Sequence, residues 1–582
     1  MHRRWRIATH DPARTASLER AAGVPPVLAR LLISRGIDDP DAARSFLDPK
    51  LAGLRDPFLL PGVEKAAALL NQAISDRRRI VVYGDYDADG MTATAILLRC
   101  LRVLGADAHY YVPHRMEEGY GLNAAALERL AETGAHTVVT VDTGIASPDH
   151  ADTARRLGMQ LIVTDHHQFA DRLPDAAAIV HPALPGHDYP FSGLCGAAVA
   201  LKLAWALCQQ ASGAKRVGER MRRFLMRAVG LAAIGSVADV VPLVDENRVL
   251  VRHGLGCLRH DPLPGIAALE RVCKLTDNPE LAGEDIAFSL APRLNAAGRL
   301  GQAEIGVELL TTDDPKRAEE LAEFVDELNQ TRQGLERSVL LAARKQIKNQ
   351  FNEANDPAFV VADRDWHPGV IGIVAGKLVE QHGKPTVVIS LDNLGVKPGT
   401  GSGRSVAGFN LAGAFASCGE HLQSHGGHAA AAGLRIEESA IDAFRIDFCR
   451  VAAGEQEAMA GADELVIDAE TPLAALTHQT VTQMERLAPF GHGNRRPMLC
   501  TSAVRLASPP RRMGGAGRHL SLEIEQNGVK LRAVAFGAGD REEELAAVRG
   551  PLAIAFKPVI NTFRGWRKVE VHLEDWHEAE PE

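Results

Sequence analysis

Gly84-Asp85-Tyr86-Asp87-Ala88-Asp89-Gly90 follows directly on the strand-like run from Arg79 to Tyr83. Two more acidic turns end apolar runs in the same way: Val141-Asp142-Thr143-Gly144 after Thr137 to Val141, and Thr164-Asp165-His166-His167 after Leu161 to Thr164. In an open α/β fold such strand ends gather at the carboxyl edge of one parallel sheet, where ligands bind. The spacing therefore predicts five carboxylates and two imidazoles in one crevice, and a further segment, Val237-Ala238-Asp239, adds another acid. A cluster of that kind repels itself unless cations sit inside it. Hard oxygen ligands mixed with imidazole suit Mn²⁺ or Mg²⁺, and a centre of two such ions serves in-line displacement at phosphorus. A calcium loop starting at Asp85 would need a glutamate at its twelfth position, which is Ile96.

Working outward, Ala93 to Leu104 and Pro148 to Leu157 have helical spacing, and each is followed by another apolar run. That alternation predicts a doubly wound parallel sheet. Residues 1–70 are expected to form a helical approach segment and residues 71–312 the catalytic α/β domain. Asp313-Asp314-Pro315 caps a long charge-laced helix over 313–350, which would join two lobes. Residues 351–463 form a smaller, glycine-rich α/β unit, and 464–582 turn to short alternating strands that suit a barrel of the OB type.

The chain has 582 residues and a formal net charge of −9, so a nucleic-acid partner must be met by a local groove. Its eight cysteines include no Cys-x-x-Cys pair and read as reduced thiols of a cytoplasmic protein. The basic start, Met1-His-Arg-Arg-Trp-Arg6, is followed by no apolar core of a leader, and the greasiest run, Leu194 to Cys208, is interrupted by Lys202, so no membrane association is expected. Basic residues between Arg495 and Lys568 outnumber acidic ones by fourteen to six, with Phe536, Phe556, Phe563 and Trp566 interleaved. A cationic surface with aromatic platforms holds single strands without sequence preference, although several of those rings belong in a core.

Taken in order, Asp85-Tyr-Asp-Ala-Asp-Gly90, Asp142, Asp165-His-His167 and Asp239 resemble the four motifs of the DHH phosphoesterase family, in the setting of its RecJ branch of single-strand-DNA exonucleases. The resemblance covers roughly residues 30 to 575, including Leu487-Ala-Pro-Phe-Gly-His-Gly-Asn494. It implies a two-lobed core, with Asp87, Asp89, Asp142, His166 and Asp239 as ligands of two Mn²⁺ or Mg²⁺ ions. Asp85 would be a ligand or an outer partner, Asp165 would orient the imidazoles, and His167 would stabilise phosphoryl oxygens or protonate the leaving group. Gly399-Thr-Gly-Ser-Gly-Arg-Ser405 offers a short loop with hydroxyls and a guanidinium, a cradle for phosphate. Within the resemblance Ser402 and Arg404 grip the substrate's terminal phosphate, and His428, in Gly426-Gly-His-Ala-Ala-Ala-Ala-Gly433, contacts substrate.

Pro292-Arg-Leu-Asn-Ala-Ala-Gly-Arg-Leu-Gly301 is similar to a signature between the lobes, with Arg293 and Arg299 as phosphate ligands and Asn295 ordering the loop. Trp366-His367 resembles the opening of the second lobe. Gly372-Ile-Val-Ala-Gly-Lys377-Leu378 is no P-loop, since its glycine spacing is wrong and Leu378 has no hydroxyl. The implied activity is 5′ to 3′ hydrolysis of single-stranded DNA to 5′ mononucleotides in recombination and repair, by a monomer supplied by a helicase and a single-strand-binding protein. Three alternatives carry weight: a nanoRNase or small-substrate phosphatase, which would not need the basic barrel; a pyrophosphatase-like member, whose first motif is usually led by a histidine where Tyr83 stands near that position here; and an inactive DNA-binding scaffold, which would lack the first-motif carboxylates.

Overall fold

The computed structural model describes residues 3–119, 121–455, 464–561 and 567–579. Two compact units are present, Leu51–Ala462 and a second made of Met1–Lys50 with Asp463–Glu582.

Within the larger unit the first sheet is wholly parallel, in the order Ala108–Tyr111, Ile80–Tyr83, Thr137–Thr140, Gln160–Thr164, Ala178–Val180. The chain reverses its direction of travel between Ile80–Tyr83 and Thr137–Thr140, and such a switch point opens a crevice at the carboxyl ends of the two strands. Alternation along Ile80–Tyr83 explains the two covered faces. Ile80 and Val82 join one core with Ile96 and Leu97, whereas Val81 and Tyr83 join a separate core with Leu127 and Ala151. Strands buried on both faces read as unbroken apolar runs, as here.

The long helix spans Pro315–Gln350, with Asp314 as N-cap accepting from the Lys316 N–H through its carboxylate and proline in the first turn. Its Ala318, Leu321, Ala322 and Val325 belong to the core of the parallel sheet, and its Val339, Ala343 and Ile347 to a core of the second lobe. The two lobes are thus tied by burial at both ends of one rod.

The second lobe is a mixed sheet in the order Leu422–Gly427, Ala431–Ile436, Gly399–Arg404, Thr386–Ser390, Phe359–Asp363. Here the structure corrects the sequence reading: Gly399–Arg404 is the middle strand and not a loop. Its odd positions face a filled core. A Cβ on Gly401 would stand 2.6 Å from Leu434, and one on Gly403 2.9 Å from both Leu411 and Phe415. Glycine at those positions makes room for the core, while Thr400, Ser402 and Arg404 emerge on the other face by the two-residue period of a strand.

In the other unit, Leu499–Leu506, Leu552–Asn561, Lys568–Glu578, Val529–Ala535 and His519–Gln526 pair in that order, and the first and last pair with each other. They close a five-stranded barrel. Of the expected helical approach segment over 1–70, the first fifty residues go with the carboxyl-terminal region: Arg4–Ile7 pairs in parallel with Glu464–Ile467, and Leu28, Leu31 and Leu32 share a core with Val481, Leu499 and Trp576. The next stretch goes with the sheet, since Val63, Ala66 and Leu70 are in its core. A pairing across more than four hundred residues leaves no local signal in either segment.

Candidate functional site

The first acidic turn sits on the carboxyl end of Ile80–Tyr83 and starts the helix Ala88–Val103. Asp87 is the N-cap, and its carboxylate accepts from the N–H groups of Asp89 and Gly90 at 2.9 and 3.0 Å. This acidic residue therefore does local structural work and is fixed in direction by it. Asn295, expected to order its own loop, lies in the helix Ala291–Arg299 instead and accepts from the Ala88 N–H at 2.9 Å, so it is the acidic turn that it orders. Asp89 is held by a feature that sequence reading missed: the N–H groups of Gly196 and Ala197, opening the helix Gly196–Ser212, donate to its two oxygens at 2.7 and 2.9 Å. A helix amino end favours the carboxylate there. Gly235, four residues before Asp239, lets that helix pass, since a Cβ would lie 2.2 Å from Asp89 Oδ1.

Asp142 takes a left-handed backbone conformation, φ 61°. Strain of this sort is held where the surrounding structure requires one side-chain direction. Asp165 accepts from the N–H groups of Ile145, His166 and His167 and from His167 Nδ1, the last at 2.7 Å. It holds the His167 imidazole through the ring and His166 through its backbone N–H alone. Asp239 closes the helix Glu219–Ala238.

These pieces meet. His166 Nε2 is 3.1 Å from Asp142 Oδ1, 3.6 Å from Asp239 Oδ2 and 3.9 Å from Asp89 Oδ2. Three groups each bring ligand atoms within 4.8 Å of one another: Asp85 with Asp87 and Asp142, Asp142 with both histidines, and Asp89 with His166 and Asp239. Burial and then the neighbouring Asp87 push Asp85 well above the usual carboxylate range and Asp89 up to about 6. Burial and then Asp89 raise Asp142 and take Asp239 to about 8. Burial, followed by His167, lowers His166 to about 4; for His167, burial is outweighed by Asp165, and its pKa rises to about 9. Asp85 Oδ1 and His166 Nε2 are buried with no hydrogen-bond partner among the described residues. Orphaned oxygen and imidazole atoms facing a self-repelling centre fit divalent cations, whose charge favours the ionised carboxylates and the neutral imidazole that ligation needs.

Beyond the acids lies a cleft of about 1120 Å³ with the opposite sign. Arg115, Arg299, His367, Ser402 and Arg404 are in its walls. Arg299 donates to the Gly369 carbonyl at 3.1 Å, and burial, then Arg115, Arg332 and Arg404, push its pKa down to about 10. Arg404 is lowered by burial and by Arg115, and donates to Ser402 Oγ at 3.0 Å. Crowded guanidinium groups of this kind call for an anion. Gly372, dismissed as a decoy for nucleotide binding, has another use: a Cβ there would meet Ser402 Oγ at 2.9 Å and Arg404 Nη2 at 3.0 Å, so it brings the start of the helix Ile371–His382 against this pair.

Two sequence candidates stand apart. Arg293 is committed to Asp326 at 2.7 Å and to the Ser289 carbonyl at 2.8 Å, and is not in the cleft wall. His428 is exposed in the turn between Leu422–Gly427 and Ala431–Ile436 and does not line the cleft either. Arg115, placed 4.7 Å over the Tyr86 ring, was not anticipated, because a lone arginine in a loop carries no pattern.

Three family models match in order: the DHH family N-terminal domain over 79–234, the DHHA1 domain over 355–453 and the RecJ OB domain over 467–575. The single-stranded-DNA-specific exonuclease RecJ of Bacillus subtilis is 37% identical over 98% of this chain and 70% of its own length. The chain belongs to the RecJ family. Solved RecJ structures from Thermus thermophilus agree with this. One, in complex with Mn²⁺, has a TM-score of 0.83 and 32% identity over 99% of this chain and 80% of that one. Another, in complex with Mg²⁺, has a TM-score of 0.77 and 31% identity over 99% and 79%. The RecJ architecture thus supplies the closed barrel and both lobes, and the acidic cluster here has the donors that either of those ions takes.

Proposed function

We propose that this chain is a metal-dependent exonuclease that degrades single-stranded DNA 5′ to 3′ and releases 5′ mononucleotides. One observation carries the reading: a self-repelling acidic cluster adjoins a self-repelling arginine cleft, which is the pattern that metal ions and a phosphate backbone together would neutralise. Asp87, Asp89, Asp142, His166 and Asp239 would hold two Mn²⁺ or Mg²⁺ ions, with Asp85 completing the set. When bound, such ions supply charge neutralisation at phosphorus and a water of lowered pKa. Asp165 fixes His167 through Nδ1, and the other ring nitrogen of His167 is the atom we assign to the phosphoryl oxygens or to the departing 3′ oxygen. Ser402 and Arg404 would take the terminal 5′ phosphate, and Arg115 and Arg299 the phosphates between.

On the barrel, Phe556 is buried, whereas Phe536 is 57% exposed beside His519, with ring centroids 5.3 Å apart. Phe536 is thus the stacking platform we assign for single strands. Phe563, Arg564 and Trp566 lie outside the described residues. No helix among the described residues is long and apolar enough to cross a membrane. A cytoplasmic monomer, fed by a helicase and a single-strand-binding protein in recombination and repair, completes the proposal.

The test is digestion of 5′-labelled and 3′-labelled single strands beside blunt duplex with Mn²⁺. Early release of labelled mononucleotide from the 5′-labelled strand alone supports the proposal. Cleavage confined to dinucleotides would favour the small-substrate alternative, and binding without cleavage the scaffold.

A further inference from the structure

A second cavity, of about 550 Å³, lies in the catalytic domain and has no part in the site above. Phe224, Leu231 and Leu263 give it an apolar floor, and Arg99, Arg102, Arg220, Arg223 and Arg227 stand around it. Some of these charges are already met. Arg99 binds Asp313 at 2.5 Å, and Arg223 and Arg227 share Asp261, each with two bonds of 2.7 to 3.0 Å. Arg102 and Arg220 are exposed and have no acidic partner among the described residues, although Glu219 and Asp313 also line the cavity. Arg220 lies in the first turn of the helix Glu219–Ala238, whose amino end has no side-chain cap. The volume is that of a small-molecule site, and an apolar floor with a pair of uncommitted guanidinium groups suits a flat ring joined to phosphate.

We propose that this cavity binds a nucleoside phosphate, its base on the Phe224 floor and its phosphate between Arg102 and Arg220. The placement suggests what binding would do. The two helices that wall the cavity also deliver metal-centre residues from their opposite ends: Ala88–Val103 carries Arg99 and Arg102 at its end and Asp87 and Asp89 at its start, and Glu219–Ala238 carries Arg220 in its first turn and is capped by Asp239. The first rod is about 24 Å long and the second about 30 Å. Asp313, the partner of Arg99, stands just before the long helix that ties in the second lobe. A ligand in the cavity therefore acts on both rods and regulates the exonuclease from a distance.

The experiment measures equilibrium binding of a fluorescent nucleoside triphosphate to the full chain in EDTA, with a deoxynucleoside monophosphate, ATP and inorganic phosphate as competitors. The Arg404→Ala variant is the background, so that the substrate cleft does not contribute. Competition by the monophosphate alone names the enzyme's own product as ligand, and competition by ATP names the cellular nucleotide pool; either supports the site. Arg102→Glu with Arg220→Glu, both exposed positions, should weaken binding by at least roughly tenfold. In the otherwise native chain, the same double variant should leave nucleotide-free digestion of single strands unchanged while abolishing any effect of added nucleotide. Absence of saturable binding, binding indifferent to the double variant, or equal competition by inorganic phosphate overturns the proposal. Binding is read without turnover, so its failure is separate from failure of the exonuclease reading.

Discussion

The acidic centre and the arginine cleft are two halves of one electrostatic design, and they differ in how the chain writes them. Each is costly by itself: burial among like charges raises Asp85, Asp142 and Asp239, and lowers Arg299 and Arg404. The acids come from the ends of three adjacent strands and one helix, so that short-range spacing gathers them. The arginines come from a loop, a helix end and a strand of the second lobe, so that only packing gathers them. The lesson is that a site can advertise half of its chemistry in motifs and keep the other half in the fold.

The largest expected effect tests the acidic half. Asp142→Asn, which keeps the shape and tolerates the left-handed backbone, should lower single-turnover cleavage by roughly a thousandfold or more while strand binding persists. A near-native rate would remove Asp142 from the centre. The same half predicts a pH dependence of stability. Carboxylates raised to about 6 and about 8, at Asp89 and Asp239, and His167 raised to about 9, bind protons more tightly in the folded state. Their contribution is present at low pH and is lost as pH rises through those values. The Tm of metal-free protein should therefore fall by several degrees between about pH 6.5 and pH 8, and Mn²⁺ should restore more at the upper end. A flat metal-free profile in thermal melts would show that the acids do not repel as their packing implies.

The arginine half is tested by Arg404→Ala, which should cut the preference for a 5′-phosphorylated over a 5′-hydroxyl end by at least roughly tenfold in single-turnover cleavage. An unchanged ratio would leave Gly399–Arg404 as a purely structural strand. On the barrel, Phe536→Ala should weaken binding of long single strands by about fivefold or more, with little change for short oligonucleotides, in a titration followed by anisotropy. Equal loss for both lengths would count against a stacking platform remote from the reacting end. The smallest effect is assigned to Arg293→Ala. Its ion pair with Asp326 is mostly buried, so the variant should melt a few degrees lower yet alter end preference by less than about twofold. A tenfold change would return Arg293 to the phosphate path.

The sequence by itself determined the acidic centre and the lobes around it. Asp87, Asp89, Asp142, Asp165 and His166 follow strands whose identity is set by local apolar runs, and the switch in strand order brings those ends together. It also contained the alternation Gly399-Thr-Gly-Ser-Gly-Arg404, whose period of two is that of a strand, although glycine's turn preference obscured it. Tertiary structure alone decided the rest. The Gly196 and Ala197 N–H groups on Asp89, Arg115 over Tyr86, the withdrawal of Arg293 into a bond with Asp326, and the pairing of Arg4–Ile7 with Glu464–Ile467 all join residues far apart in the chain. A local pattern records which face a residue presents; it does not record which distant group will meet that face, because that is settled by how the cores close.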